Sequence, residues 1–122
     1  MNATAENKIL ESDLMAYLKG KSGYLPCQLI EQAHRQGMIH SQEPIHDSQI
    51  QPVSLDLRLG PKAYRIQCSF LPEKEPVETK LKEISLYDFD ITGGGILEKN
   101  AIYLIPLMEE LSLPSSLYGL AN

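Results

Sequence analysis

The sequence contains no tryptophan and few other aromatic residues, and its acidic residues outnumber its basic ones. Aromatic side chains make up 7% of the 122 residues, which argues against the base-stacking platform of single-strand nucleic-acid binders. With 16 acids against 11 bases the formal charge is −5, which argues against a broad basic surface for duplex DNA or an anionic membrane. A small phosphate ligand stays possible, since it needs only a local pocket. We therefore expect neither a nucleic-acid partner nor a membrane partner.

Long apolar runs are missing, and cysteines are few. No run approaches the roughly 18 apolar residues of a membrane span, and the opening "MNATAENKILESDL" lacks the basic start and apolar block of a signal peptide. Cys27 and Cys68 lie far apart, which favours reduced, partly buried thiols over a disulfide. These features predict a cytoplasmic protein, and the length suits one domain with a real core.

Residues 1–49 are expected to form a helical N-terminal segment followed by an ordered loop. Apolar residues at helical spacing in "ILESDLMAYLKG" predict a first helix that Gly20 stops. A second helix is predicted in "YLPCQLIEQAHRQGMI", where Pro26 suits the first turn and Gly37 suits a left-handed C-cap. The inner stripe of this second helix is expected to consist of Leu29, Ile30 and Ala33.

Residues 50–122 look rich in short strands. The stretch "IQPVSLDLRLG" alternates apolar and polar residues, so it is predicted to be a strand. Its part "VSLDLRLG" is predicted to pair as a hairpin with "KAYRIQCSFL". The charged "PEKEPVETKLKE" is expected to be a solvated excursion whose end is anchored by Leu81, Ile84 and Leu86. The final "LYGLAN" is expected to enter another strand. Strand alternation places Leu55, Leu57 and Leu59 on one face and Ser54, Asp56 and Arg58 on the other. The fold class predicted is α+β, mainly β.

Several motifs that carry chemistry elsewhere are rejected on their context. The glycines of "TGGGIL" lack the following helix and the Lys-Ser/Thr pair of a phosphate loop, so a turn between strands is predicted. The three histidines lack the spacing of zinc ligands. Cys27 follows a proline, as in zinc-dependent nucleobase deaminases, but position 30 is Ile30 instead of a second cysteine. Ser115 and Ser116 lie in a predicted turn and not in a nucleophile elbow.

Asp56 and Arg58 remain as candidate site residues. Opposite charges two residues apart on one strand face are usually solvated or locally paired, whereas a ligand contact or a contact between subunits is the alternative. The residues alone therefore indicate a mildly acidic α+β domain and leave both roles open.

A family resemblance adds to this interpretation. The stretch "IQPVSLDLRLG", followed by "AYRIQCSFLP", resembles the dCTP deaminase branch of the dUTPase-like superfamily. The segments "YLPCQLIEQAHRQGMI" and "GGGILEKNAIYLIPLMEELSLPSSLYGLAN" resemble the parts of that family that flank this strand. The resemblance covers about Tyr24 to Asn122, and it suggests the N-terminal part of a longer bacterial form.

The resemblance implies a dUTPase-like fold of the β-clip type, commonly trimeric, with active sites shared between subunits. It implies hydrolytic deamination of dCTP to dUTP and ammonia, with a Glu as general acid/base and with Ser and Arg positioning the base. It further implies that Mg²⁺ binds with the triphosphate and that no zinc takes part.

The family's catalytic motifs have no counterpart among the residues of this chain. The Ser-Ser-x-x-Arg motif and the Glu are expected beyond Asn122, and Ser115-Ser116 match the turn that precedes them. The apolar ending agrees with this expectation, because domain ends are usually polar. The chain alone is therefore predicted to be inactive, with Asp56 and Arg58 as substrate-binding or supporting residues.

Two alternatives to an enzyme fragment stay open. One is a non-catalytic nucleotide-binding or assembly module of the same fold, and the other is a truncated product with no role of its own. The sequence also leaves open whether the complete protein stops at dUTP or continues to dUMP.

Overall fold

A computed structural model describes residues 14–122, which form two compact units. Among the described residues, the first unit comprises residues 14–57 together with Glu109–Asn122, and the second comprises Arg58–Met108. Across both, helices accompany small antiparallel sheets, so the α+β class is confirmed. The division into residues 1–49 and 50–122 rests on composition and not on packing, and it stays a prediction.

Two helices of the first unit agree with their sequence signals. Helix α1 spans Leu14–Leu18 and helix α2 spans Cys27–Arg35; the predicted beginning of α1 at residues 9–13 lies outside the described residues. Pro26 is the N-cap of α2 with φ −72°, and Gly37 has φ +76°, a left-handed conformation that glycine adopts at low cost. Along residues 14–122, no helix has both the length and the apolar character that crossing a bilayer requires.

The core of the first unit is built from these helices and a short strand pair. Strand β1 (Ile39–Ser41) pairs antiparallel with strand β5 (Glu109–Leu111), with Ile39 opposite Leu111 and Ser41 opposite Glu109. Burying apolar side chains from both helices and the strand stabilises the unit. The buried cluster consists of Leu14, Leu29, Ile30, Ala33 and Ile39, which confirms the predicted inner stripe.

The prediction that Ile50–Gly60 forms one strand is wrong. The chain turns back at Pro52, and it makes isolated bridges between Ile50 and Leu55 and between Leu59 and Leu107. Proline has no backbone N–H for a ladder and favours turns. The result is a tight hairpin over residues 49–56, called here the 49–56 hairpin, which follows a 3₁₀ helix at Asp47–Gln49.

The prediction that three leucines of this stretch share one apolar face is also wrong for two of them. Leu55 is half-buried and packs against the core of the first unit. Leu57 and Leu59 are 43% and 53% exposed. A period of two identifies a common face only if the strand runs straight, and this segment does not.

The second unit is organised around a three-stranded antiparallel sheet. Strand β2 (Lys62–Ile66) lies at its centre between β3 (Ser85–Asp90) and β4 (Ile102–Leu104). The predicted hairpin between residues 53–60 and β2 is therefore wrong. The N–H of Gly60 donates instead to the carbonyl of Pro106 at 2.7 Å, so the end of the motif pairs with the residues that follow β4.

A third helix, α3 (Val77–Ile84), replaces the predicted solvated excursion. Its N-cap is Pro76, and Leu81 is buried while the helix packs on β2. Lys80 Nζ lies 3.1 Å from Glu75 Oε2 and 3.6 Å from Glu83 Oε2. The charged composition therefore belongs to the solvent side of an amphipathic helix.

The glycine-rich segment is a turn between strands, as predicted. Gly94 has φ +100°, and the N–H of Thr92 donates to the Asp90 carboxylate at 2.7 Å. The predicted final strand is wrong, because residues 117–122 form no regular element. There the side chains of Tyr118 and Leu120 are 81% and 76% exposed.

Candidate functional site

Asp56 is an exposed acid on a rigid backbone. Its N–H donates to the carbonyl of Gln49 at 2.8 Å, and its own carbonyl accepts a bond from Gln49 Nε2 at 2.9 Å. Its carboxylate Oδ2 accepts a bond from Gln51 Nε2 at 3.0 Å. The hairpin thus fixes the main chain of Asp56 on both sides and leaves the carboxylate accessible to a ligand.

Gln49 is the residue on which the 49–56 hairpin depends. It is 6% exposed, and its Oε1 accepts the N–H of His46 at 2.9 Å. Its Nε2 donates to the carbonyl of Asp56 and to Glu109 Oε1, each at 2.9 Å. A buried amide must find such partners, because an unpaired polar group in the interior is costly.

The hairpin is also attached to helix α2. The first residue of that helix, Cys27, donates its N–H to the carbonyl of Pro52 at 2.9 Å. Helix N-termini carry unpaired N–H groups, and here a carbonyl from the hairpin turn satisfies one of them. The turn of the "IQPVSLD" motif is therefore fixed by the helix that precedes it in the chain.

Arg58 belongs to the other unit. The boundary between the two units falls after Leu57, so the two candidates predicted from one strand face lie in different units. Arg58 is half-buried, and its carbonyl accepts the N–H of Met108 at 2.9 Å. Its backbone thus belongs to the same extended pairing that holds Gly60.

The second unit contains two surface depressions of its own. One, of about 310 Å³, lies between α3 and the sheet; the other, of about 680 Å³, lies at the loop before α3. The smaller depression is lined by Tyr64, Glu78, Leu81, Lys82, Ser85 and Asp88. Their mixed charges suit a solvated groove, and neither depression includes Asp56 or Arg58.

Charge and aromatic contacts in the second unit stabilise its sheet. Lys62 Nζ lies 2.7 Å from the Asp88 carboxylate across β2 and β3, and the hydrogen bond to Asp88 raises the pKa of Lys62. On the opposite face, the rings of Phe89 and Tyr103 meet edge to face at 6.1 Å. The Lys62–Asp88 pair links the neighbouring strands β2 and β3, whereas the rings of Phe89 and Tyr103 meet across β2 from the two outer strands.

Metal-ligating residues do not gather in the part of the chain that the structure describes. Between residues 14 and 122, no group of three or more His, Cys, Asp or Glu side chains could hold an ion. His34 Nδ1 instead lies 3.0 Å from the carbonyl of Ile39. The thiols of Cys27 and Cys68 are free.

The sequence reasoning missed Gln49 and Glu109. The two lie 60 residues apart along the chain, and their side chains meet in the interior. A sequence signal for such a pair would be a polar residue at a position that a helical or strand period marks as buried. Neither Gln49 nor Glu109 lies at such a position in a periodic pattern. Only the tertiary contact shows that they form a pair.

Comparison with known proteins gives a family and a structural neighbour. The family model for the 2'-deoxycytidine 5'-triphosphate deaminase (DCD) N-terminal domain matches residues 21–122. Among solved structures, the chain is similar to 2'-deoxycytidine 5'-triphosphate deaminase from Agrobacterium tumefaciens, with a TM-score of 0.72 and 39% sequence identity. A comparison with curated proteins gave no match.

The structural match covers 76% of this chain and 28% of the Agrobacterium chain, so the chain spans less than a third of that relative's length. The likeness in three dimensions confirms the predicted dUTPase-like arrangement of short strands. The family match extends through α2, the 49–56 hairpin and both units to the last residue. The chain belongs to the family of 2'-deoxycytidine 5'-triphosphate deaminase N-terminal domains.

Proposed function

We propose that this chain is the N-terminal part of an enzyme that deaminates dCTP hydrolytically, giving dUTP and ammonia. The observation that carries the proposal is the family match over residues 21–122. The Agrobacterium deaminase, at 39% identity, supports it. The catalytic Ser, Arg and Glu are proposed to lie beyond Asn122, and the reaction is proposed to need no zinc.

Asp56 and Arg58 are proposed to support the nucleotide site. An accessible carboxylate on a rigid main chain suits an Mg²⁺ ion that also binds phosphate oxygens and waters, because Mg²⁺ usually takes one or two carboxylates from the protein. Asp56 would contribute one oxygen ligand to an Mg²⁺ ion that arrives bound to dCTP. The ion would neutralise part of the triphosphate charge. Arg58 would supply a local positive charge in a chain whose formal charge is −5.

The remaining parts of the proposal concern assembly and location. A trimer-like homo-oligomer is proposed because the family resemblance implies sites shared between subunits. A cytoplasmic location is proposed as well, in keeping with a free nucleotide as the substrate. Light scattering of the complete protein tests the first of these, and a dominant monomeric mass would contradict it.

A chimera tests the proposed function directly. Residues 21–122 would replace the matching segment of the Agrobacterium deaminase, and the purified product would be assayed for dUTP and ammonia with dCTP and Mg²⁺. We expect deamination, since the rest of that enzyme supplies the catalytic residues. A chimera that assembles like the parent enzyme and yet forms no dUTP would contradict the proposal.

A further inference from the structure

We propose that Gln49 and Glu109 are positioning residues that hold the Asp56 carboxylate where it meets the nucleotide. The inference rests on the proposed role of Asp56 in supporting the site. In this inference Gln49 and Glu109 do not touch the ligand and act on its binding only through Asp56.

The first step of the argument is that the Gln49 side chain is fully engaged. A glutamine amide carries two N–H donors and one carbonyl acceptor. In Gln49 both kinds of group are used: Oε1 accepts from His46, while Nε2 donates to the carbonyl of Asp56 and to Glu109. If the amide were reversed, its N–H groups would face the N–H of His46. Its carbonyl oxygen would face the carbonyl of Asp56 and the carboxylate of Glu109. The orientation of this side chain is therefore set by three partners.

The second step is that Glu109 attaches the hairpin to the sheet. Glu109 begins β5 and pairs with Ser41 of β1, and it is 6% exposed. The 2.9 Å bond from Gln49 Nε2 to its carboxyl oxygen is buried. It ties a loop to a paired strand, and a buried hydrogen bond of this kind is costly to break.

The third step concerns what the attachment does for Asp56. The N–H and C=O of Asp56 both bond to Gln49, so its main chain cannot swing without breaking the pair. Gln51 Nε2 then bridges the carbonyl of Ser48 and the Asp56 carboxylate, each at 3.0 Å. Gln49 and Glu109 thus place the main chain, and Gln51 aims the carboxylate. Preorganisation of this kind raises affinity because the ligand need not order the loop.

Amide hydrogen exchange tests the attachment in the 122-residue chain. The variant Gln49→Met keeps the approximate length of the side chain and removes its hydrogen bonds. We expect the Asp56 and Gln51 amides to exchange about tenfold faster or more, as loss of a buried hydrogen bond implies. Amides of α2 such as Ala33 should stay within about threefold of wild type.

Gln32→Met is the matched control. Gln32 is also a buried glutamine of the first unit, 5% exposed, but it lies in α2 and takes no part in the side-chain hydrogen bonds that hold the hairpin. Its replacement should leave the exchange rate of the Asp56 amide within about threefold of wild type. If Gln49→Met leaves exchange at Asp56 unchanged, the proposal fails. Gln49→Asn serves if Gln49→Met does not fold; if both lose the protection of α2 as well, Gln49 is a general structural residue and the proposal fails.

Nucleotide binding separates this inference from the proposed function. In the chimera described above, Gln49→Met should weaken binding of Mg²⁺·dCTP, and adding it to Asp56→Asn should weaken binding no further, because it acts through Asp56. Additive losses would overturn the positioning role. If Asp56→Asn alone changes nothing, the proposed role of Asp56 fails, and the exchange experiment still decides whether Gln49 holds the hairpin.

Discussion

Gly60 shows at the scale of one residue why the "LDLRLG" stretch ends in glycine. A Cβ at this buried position would lie 2.6 Å from the carbonyl oxygen of Pro106, and that same oxygen accepts the Gly60 N–H. No side chain fits there without moving the backbone of Pro106 and Leu107. The residue is therefore required by the close approach of two chain segments and not by a left-handed conformation.

Gly60→Ala should accordingly destabilise the second unit. We expect the free energy of unfolding to fall by about 1–3 kcal/mol, the usual cost of overpacking, as measured by urea denaturation. Gly93→Ala is the matched control, since a Cβ there would meet nothing within 4 Å. Equal stability of the two variants would mean that the backbone yields at Gly60 and that the contact is not tight.

Asp90 allows a prediction about pH at the same scale. The N–H of Thr92, and then its side chain, hold the pKa of Asp90 below its ordinary value of 3.8. Because the folded-state pKa is the lower one, the charged carboxylate stabilises the turn above the unfolded-state pKa. This stabilisation is lost as the pH falls through the folded-state pKa.

An NMR titration of the Asp90 carboxyl checks this shift. Thr92→Ala removes the hydroxyl but keeps the backbone N–H, so the pKa of Asp90 should rise only part of the way to its ordinary value. A full return would assign the whole effect to the hydroxyl. An unchanged pKa would assign it to the N–H alone.

At the scale of elements, α2 and α3 show what a helical pattern reveals. The apolar residues of α2 recur at helical spacing between a proline and a glycine, so its bounds and buried face were predictable. Helix α3 has one buried apolar residue, Leu81, among charges, and these charges together with the prolines that precede the helix resemble a loop. It forms because the sheet offers an apolar surface on which that residue packs, and this surface is not visible in the local sequence.

Leu81→Ala tests whether α3 depends on that packing. Leu81 is 6% exposed, so the substitution should lower the free energy of unfolding by about 2–5 kcal/mol. Leu86→Ala is the control, because Leu86 is 55% exposed and its loss should cost little. Circular dichroism during denaturation measures both. A small effect at Leu81 would show that the charged contacts of Lys80 hold the helix.

At the scale of the whole molecule, the question is which activity these residues support by themselves. The chain covers 28% of the Agrobacterium deaminase, and the proposed catalytic Ser, Arg and Glu lie beyond Asn122. Pure 122-residue chain with dCTP and Mg²⁺ should therefore form no dUTP above the uncatalysed background. Chromatography of the nucleotides measures this, with the chimera as the positive control. Steady dUTP formation by the chain alone would place catalysis within these residues.

The local sequence by itself determined helix α2, the glycine turn after β3, the α+β class and the family. Each depends on neighbours along the chain: a stripe of apolar residues, a capping proline, a glycine, or an ordered motif. The tertiary structure alone decided that "IQPVSLDLRLG" folds back at Pro52, that β2 pairs with β3 and β4, and that Gln49 meets Glu109. These depend on contacts between residues far apart in the chain, because a pattern of alternation does not identify the partner strand and a buried hydrogen bond depends on where two distant segments meet.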